Sequence, residues 1–200
     1  MREILPGIFT WSKHSEPHGY ASNGWLFRRP EGNVIVDPVE PDEAARCALA
    51  LSAPGPTIAI TNRNHGRAAN LVRRVTGGRT LIHPEDAPHA REQGLVVEGA
   101  LAPGQRIGPF VVVPVPGKSA GEVALHWPER RLLVIGDAVV GDPPGRLKLL
   151  RDAVIDDVPR LRASIRALAA LAPETLLLGD GVSILGEGGA RLAELIGSFP

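Results

Sequence analysis

The sequence is short of several things, and each shortage excludes something. It has a single cysteine, Cys47. No intramolecular disulfide can form, and no metal site can be assembled from several thiolates. It has no excess of either charge, with 22 Lys+Arg set against 22 Asp+Glu. A protein that grips nucleic acid through its phosphates carries a basic patch or stripe. None is visible, so nucleic acid is not an expected partner. No run approaches the roughly 18–20 apolar residues of a membrane-spanning helix, and Glu3 and Pro6 interrupt any leader-like start. The expectation is therefore a cytoplasmic protein with no membrane partner. Lysines are also few: Lys13, Lys118 and Lys148 are the three.

What is present suits one globular domain over residues 1–200. Hydrophobic residues make up 44% and charged residues 22% of the chain, which is enough apolar material for a sizeable core. The 19 prolines and 23 glycines are spread throughout, so the elements should be short and tightly connected. Strands are expected at Gly7–Trp11, Trp25–Arg29 and Val34–Val39, with Glu31-Gly32-Asn33 turning between the last two. Asp42 is placed to cap a helix over Glu43–Leu51. A strand over Pro56–Thr61, a helix over Arg67–Val75 ended by Gly77-Gly78, a strand over Thr80–His83 and a brief helix over Pro84–Gln93 complete the first half.

The second half begins again with strands: Phe110–Val115, Glu122–Trp127, Arg131–Ile135. Asp157 can cap a helix whose stripe is Leu161, Ile165, Leu168 and Leu171. Thr175–Leu178 reads as a strand and Ala190–Phe199 as a closing helix. Strands followed by helices, twice over, suit two sheets sandwiched between outer helices.

The segment that carries chemistry is Thr61-Asn62-Arg63-Asn64-His65-Gly66-Arg67, where a strand gives way to a helix. Sites of layered α/β folds are commonly built at such strand ends. Further on come Pro116-Gly117-Lys118-Ser119-Ala120-Gly121, then Leu133-Val134-Ile135-Gly136-Asp137-Ala138, then Leu178-Gly179-Asp180-Gly181. In order and spacing these resemble the loops of the metallo-β-lactamase superfamily. There the first loop reads Thr-His-x-His-x-Asp-His, the second Pro-Gly-His-[Ser/Thr]-x-Gly, followed by a hairpin ending in Gly-Asp and a last strand ending in Gly-His-Gly. Val36-Asp37-Pro38 and Ser22-Asn23-Gly24 also fit that frame. The resemblance covers nearly the whole chain. It implies an α/β (α+β) fold, the αββα four-layer sandwich of two mixed sheets flanked by helices. It also implies a hydrolase ancestry in which the first loop and its partners hold two metal ions.

The departures from that pattern are chemical. The family's ligand positions are taken here by Asn62, Asn64, Gly66, Arg67, Lys118, Asp137 and Asp180, and only Asp137 keeps its identity, so six of the seven have changed. Amide oxygens are poor zinc ligands. Arginine offers donors alone, and lysine ligates only after losing its proton. No dinuclear site is expected. If zinc or another divalent metal binds at all, His65, Asp137 and Asp180 are the residues to hold it. The sequence suggests instead that Arg67 and Lys118 bring positive charge where the family brings metal, with Asp137 and Asp180 kept ionised by charge-assisted hydrogen bonds. Two readings follow. One is a metal-free, non-catalytic protein that binds a small anion or polar metabolite through Asn62, Asn64, His65, Arg67, Lys118, Asp137 and Asp180, or that uses them only as a structural plug. The other is a divergent hydrolase of ester, thioester or lactone bonds, with Asp137 and Lys118 as acid–base candidates.

Other residues are assigned simpler roles. His14, His18 and Tyr20 fall in a loop that, in the family, overhangs the site. His83 reads as a strand-end residue, His126 as solvent-facing, and Cys47 as a small core residue. Trp11 and Trp25 read as core or rim packing. A homodimer built on ordinary surfaces is compatible with the composition.

Overall fold

The computed structural model describes residues 1–52 and 55–200. The chain divides into two compact units of nearly equal size, Met1–Ala102 and Pro103–Pro200.

The first unit is a seven-stranded mixed sheet. Its strands are β1 (Arg2–Leu5), β2 (Ile8–Ser15), β3 (Tyr20–Phe27), β4 (Val34–Val36), β5 (Thr57–Ile60), β6 (Arg79–Ile82) and β7 (Gly99–Ala100), side by side in that order. β1 to β4 pair antiparallel, and β4 to β7 pair parallel. Each parallel step needs a crossover, and the chain supplies α1 (Glu43–Ala50), α2 (Ala69–Thr76) and α3 (Ala87–Glu92). Alternate strand residues such as Ile58 and Ile60 face these helices and pack with Ala45, Leu49, Ala69 and Val72. Asp42 caps α1, accepting from the Ala45 N–H at 2.7 Å, and Gly77 ends α2 in the left-handed conformation that glycine tolerates.

The β2–β3 hairpin is longer than the apolar pattern suggests. Pairing continues to Ser15 opposite Tyr20, so the segment expected as a loop holding His14 is strand, with His18 in the tight turn. Its base is fixed by Trp11. The indole lies over Gly24, where a Cβ would come within 2.7 Å of the ring. Its Nε1 donates to the Val39 carbonyl at 2.8 Å, which ties down the chain just after β4. Two smaller expectations are corrected. Cys47 is exposed, because the buried face of α1 is set by Ala45 and Leu49, and a residue two places from either lies on the other side. His126 is half-buried rather than solvent-facing, and burial lowers its pKa, partly offset by the nearby Glu129 carboxylate.

Arg73 of α2 grips Glu98, just before β7, with Nε and Nη2 at 2.8 and 3.0 Å. The Thr80 N–H adds a third bond to the same carboxylate. The Arg73 guanidinium first, and then that N–H, hold the Glu98 carboxyl down to about 2. A depressed carboxyl contributes stability that is complete above its unfolded value and is lost as pH falls through the folded one. The stability gap between wild type and Glu98→Gln is thus expected to be widest near neutral pH and to close between about pH 4.5 and 2. Thermal melts of both proteins across that range check it. A gap independent of pH would refute the linkage.

The second unit is a six-stranded sheet in the order β13, β12, β11, β10, β9, β8. Its strands are β8 (Arg106–Ile107), β9 (Phe110–Pro114), β10 (Val123–Trp127), β11 (Leu132–Ile135), β12 (Thr175–Leu178) and β13 (Ile184–Leu185). Only β11 and β12 run parallel, and the crossover between them carries α4 (Val158–Ala170). Asp157 caps α4, accepting from the Arg160 N–H at 2.9 Å. Leu161, Ile165 and Leu168 form its buried stripe, each contributing about 1.5–3 kcal/mol through burial. They pack with Leu176, Leu178 and with Leu192 and Leu195 of α5 (Gly188–Gly197). Among the described residues no helix is long and apolar enough to cross a membrane.

Candidate functional site

In the first unit the candidate residues gather past the carboxyl ends of the parallel strands β4 and β5. There the backbone leaves the sheet, and its polar groups need side-chain partners. β4 hands over to Asp37, a fully buried residue with φ of 46°. Its carboxylate accepts from the Thr61 N–H at 2.8 Å, from Thr61 Oγ1 at 2.5 Å and from His65 Nδ1 at 2.8 Å. The other ring nitrogen of His65, Nε2, lies 2.8 Å from Arg67 Nη2. A guanidinium only donates, so Nε2 accepts and the ring proton sits on Nδ1, facing Asp37. His65 is buried, held between the Asp37 carboxylate and the Arg67 guanidinium. Arg67 itself has φ of 24°. A residue in that conformation cannot continue a helix, which is why α2 begins at Ala69 rather than at Arg67 as expected.

Asn62 is fully buried. Its Oδ1 accepts from the Asn64 N–H at 2.9 Å, a local turn bond of the kind asparagine favours. That bond fixes the amide's orientation, and Nδ2 then has no hydrogen-bond partner among the described residues. Asn64 and Arg67 are exposed.

In the second unit the pattern repeats past the ends of β11 and β12. Ile135 is paired with Leu178, so Asp137 and Asp180 follow equivalent positions on neighbouring parallel strands. Both are buried. Lys118 Nζ donates to Asp137 Oδ2 at 2.8 Å, and the two side chains are 7% and 8% exposed. An ion pair this buried must be matched, because desolvation costs several kcal/mol per ion. The Gly141 N–H donates to the Asp180 carbonyl at 3.1 Å, anchoring the turn that carries Asp180. Glu122 is also buried and accepts from the Ala138 N–H at 2.8 Å, which fixes the backbone beside Asp137.

Sequence reading assigns no role to two of these residues, Asp37 and Glu122. Asp37 enters it only through the matching frame Val36-Asp37-Pro38. Its signal was an acidic residue directly after the apolar run Val34-Ile35-Val36. Glu122 lies directly before β10 and carries no signal that periodicity can read.

A sequence profile described as the Metallo-beta-lactamase superfamily matches residues 2–199. The chain belongs to this superfamily. Similarity to individual proteins agrees. A hydroxyacylglutathione hydrolase of Fuscovulum blasticum is 33% identical over 148 residues, covering 70% of this chain and 54% of that protein. The chain thus spans about half the length of that relative. Among solved structures, TTHA1623 in a di-iron-bound form is 25% identical with a TM-score of 0.70, covering 91% of this chain and 98% of that one. The mono-zinc form of the metallo-β-lactamase FIM-1 from Pseudomonas aeruginosa is 21% identical with a TM-score of 0.76, covering 99% and 95%. These likenesses establish the fold, two mixed sheets with their helices.

The superfamily implies a metal centre, and the donor chemistry of this chain does not fit the two-metal form. Asn62, Asn64, Arg67 and Lys118 stand where that centre needs imidazoles. Of the three residues expected to hold a single metal, His65 has Nε2 engaged by Arg67 and Asp137 has Oδ2 engaged by Lys118; Asp180 is the third.

Proposed function

We propose that the chain is a hydrolase acting on ester, thioester or lactone bonds. The observation that carries this reading is the 33% identity to a hydroxyacylglutathione hydrolase over 70% of the chain. That likeness favours an enzyme over a purely non-catalytic binding protein. The chemistry assigned here uses Lys118 and Asp137. Water attacks the carbonyl carbon and gives its proton to the Asp137 carboxylate. The Lys118 ammonium stabilises the oxyanion of the tetrahedral intermediate. Collapse of that intermediate expels the thiolate or alkoxide, which takes the proton back from Asp137 and regenerates the carboxylate.

The test is hydrolysis of an S-hydroxyacyl glutathione, an aryl ester and a simple lactone by purified protein with chelator present. Asp137→Asn is expected to lower turnover by at least about 100-fold, the usual contribution of a general base. Absence of turnover on all three bonds, or full activity in the variant, defeats the reading.

A second reading, binding of a small polar metabolite, is favoured by Asn62. Its buried Nδ2 has no partner among the described residues, and a buried donor left so costs about 1–3 kcal/mol. An acceptor oxygen of a bound molecule relieves that cost.

A further inference from the structure

We infer that each of the two loops from which the superfamily builds its metal centre carries its own cation in this chain, so that the protein takes up no divalent metal. This deepens the hydrolase reading by naming Lys118 as the resident cation of the proposed reaction, but it stands on the site's donor chemistry alone.

Asp137 is the one ligand position whose identity survives, and Lys118 Nζ sits 2.8 Å from its Oδ2 with both groups over nine-tenths buried. An ammonium has no lone pair. It therefore occupies the space beside Asp137 Oδ2 without offering a ligand of its own. To be displaced by a metal it must leave the Asp137 carboxylate for a buried environment or unfold its loop. That loop is tied down: the Gly117 carbonyl accepts from the Asp157 N–H at 2.8 Å, and the Pro116 carbonyl accepts from Ser164 Oγ at 2.7 Å. Lys118 is therefore fixed at both its backbone and its charged end.

The first loop reaches the same result differently. The position of the family's third histidine is Arg67, which cannot deprotonate. Its Nη2 occupies His65 Nε2 at 2.8 Å, while Nδ1 is committed to Asp37. Both nitrogens of the one imidazole in this loop are engaged. The Asn62 carbonyl oxygen is likewise engaged by the Asn64 N–H. In each loop, then, a side-chain cation stands on an atom that a metal would otherwise take.

Three measurements test this on the full chain. Protein expressed with added zinc, iron and manganese and purified without chelator is expected to contain less than about 0.1 metal per chain by mass spectrometry. Its Tm is expected to move by less than about 1 °C on adding either chelator or excess zinc, since a ligand that binds the native state shifts Tm. Lys118→Met, which strands Asp137 without a cation, is expected to lower Tm by about 10 °C, whereas Lys118→Arg keeps most of it. If the Met variant does not fold, the Arg variant and the metal content decide. A metal ratio near one or two, or a chelator-induced drop of several degrees, overturns the inference and turns attention to His65, Asp137 and Asp180. Absence of metal together with absence of turnover removes the hydrolase reading and leaves this inference standing; metal with turnover does the reverse.

Discussion

Asp37→Ala is expected to destabilise the protein by about 3–5 kcal/mol, the cost of removing one partner from a buried charged network. Three buried donors point at this carboxylate: the Thr61 N–H, the Thr61 hydroxyl and His65 Nδ1–H. Alanine accepts from none of them, and each buried donor left unmatched costs about 1–3 kcal/mol. The backbone adds to this. Residue 37 sits at a φ of 46°, a conformation that asparagine and aspartate tolerate better than alanine. For a chain of this size 1 kcal/mol corresponds to about 2–4 °C, so the Tm is expected to fall by about 10–15 °C. Asp37→Asn keeps one acceptor and the backbone preference and should fall between the two. Thermal and urea melts of the three proteins measure it. An alanine variant within about 3 °C of wild type would show that this network contributes little to the fold.

The same residue shows where sequence reading stops. The strand ends that carry the site were legible, because Val34–Val36, Ile58–Ile60, Leu132–Ile135 and Leu176–Leu178 are short apolar runs followed at once by Asp37, by Thr61 or by a Gly-Asp pair. Asp137 and Asp180 follow from that pattern. Asp37 follows from it in position but not in role, since Thr61 and His65 come 24 and 28 residues later. Only the parallel pairing of β4 with β5 brings them together. The caps at Asp42 and Asp157 were legible because capping is local, a side chain bonding an N–H three residues on.

Longer-range or weakly patterned features were not. The outer half of the β2–β3 hairpin, Ser12–Ser15 against Tyr20–Asn23, has little apolar alternation to announce it, yet its backbone pairing is complete. β7, β8 and β13 are two residues each, shorter than any period can resolve. The exposure of Cys47 could be derived only once Ala45 and Leu49 had fixed which face of α1 is buried.

Gly117→Ala is the other change expected to be severe, and it tests how the backbone sets Lys118 in place. Gly117 has φ of 143°, and a Cβ there would lie 2.4 Å from both the Cα and the N of Leu161. Those are backbone atoms of α4 and cannot rotate away as a side chain can. Overpacking of this kind costs about 1–3 kcal/mol, and the backbone strain of an L residue at this φ adds about 1–3 kcal/mol. The expected drop in Tm is about 8–15 °C. Gly104→Ala separates the two causes, because Gly104 has φ of 81° but nothing within 4 Å of its would-be Cβ. That variant carries only the backbone cost and should lose about 1–2 kcal/mol. The difference between the two melts measures the closeness of the loop to α4. The closeness matters because α4's capping residue, Asp157, also donates its N–H to the Gly117 carbonyl. A side chain at 117 pushes the helix off the loop, breaks that bond and frees the segment that aims Lys118 at Asp137. Equal losses in the two variants would mean that α4 yields without resistance, and the fixed placement of Lys118 would then lack its backbone cause.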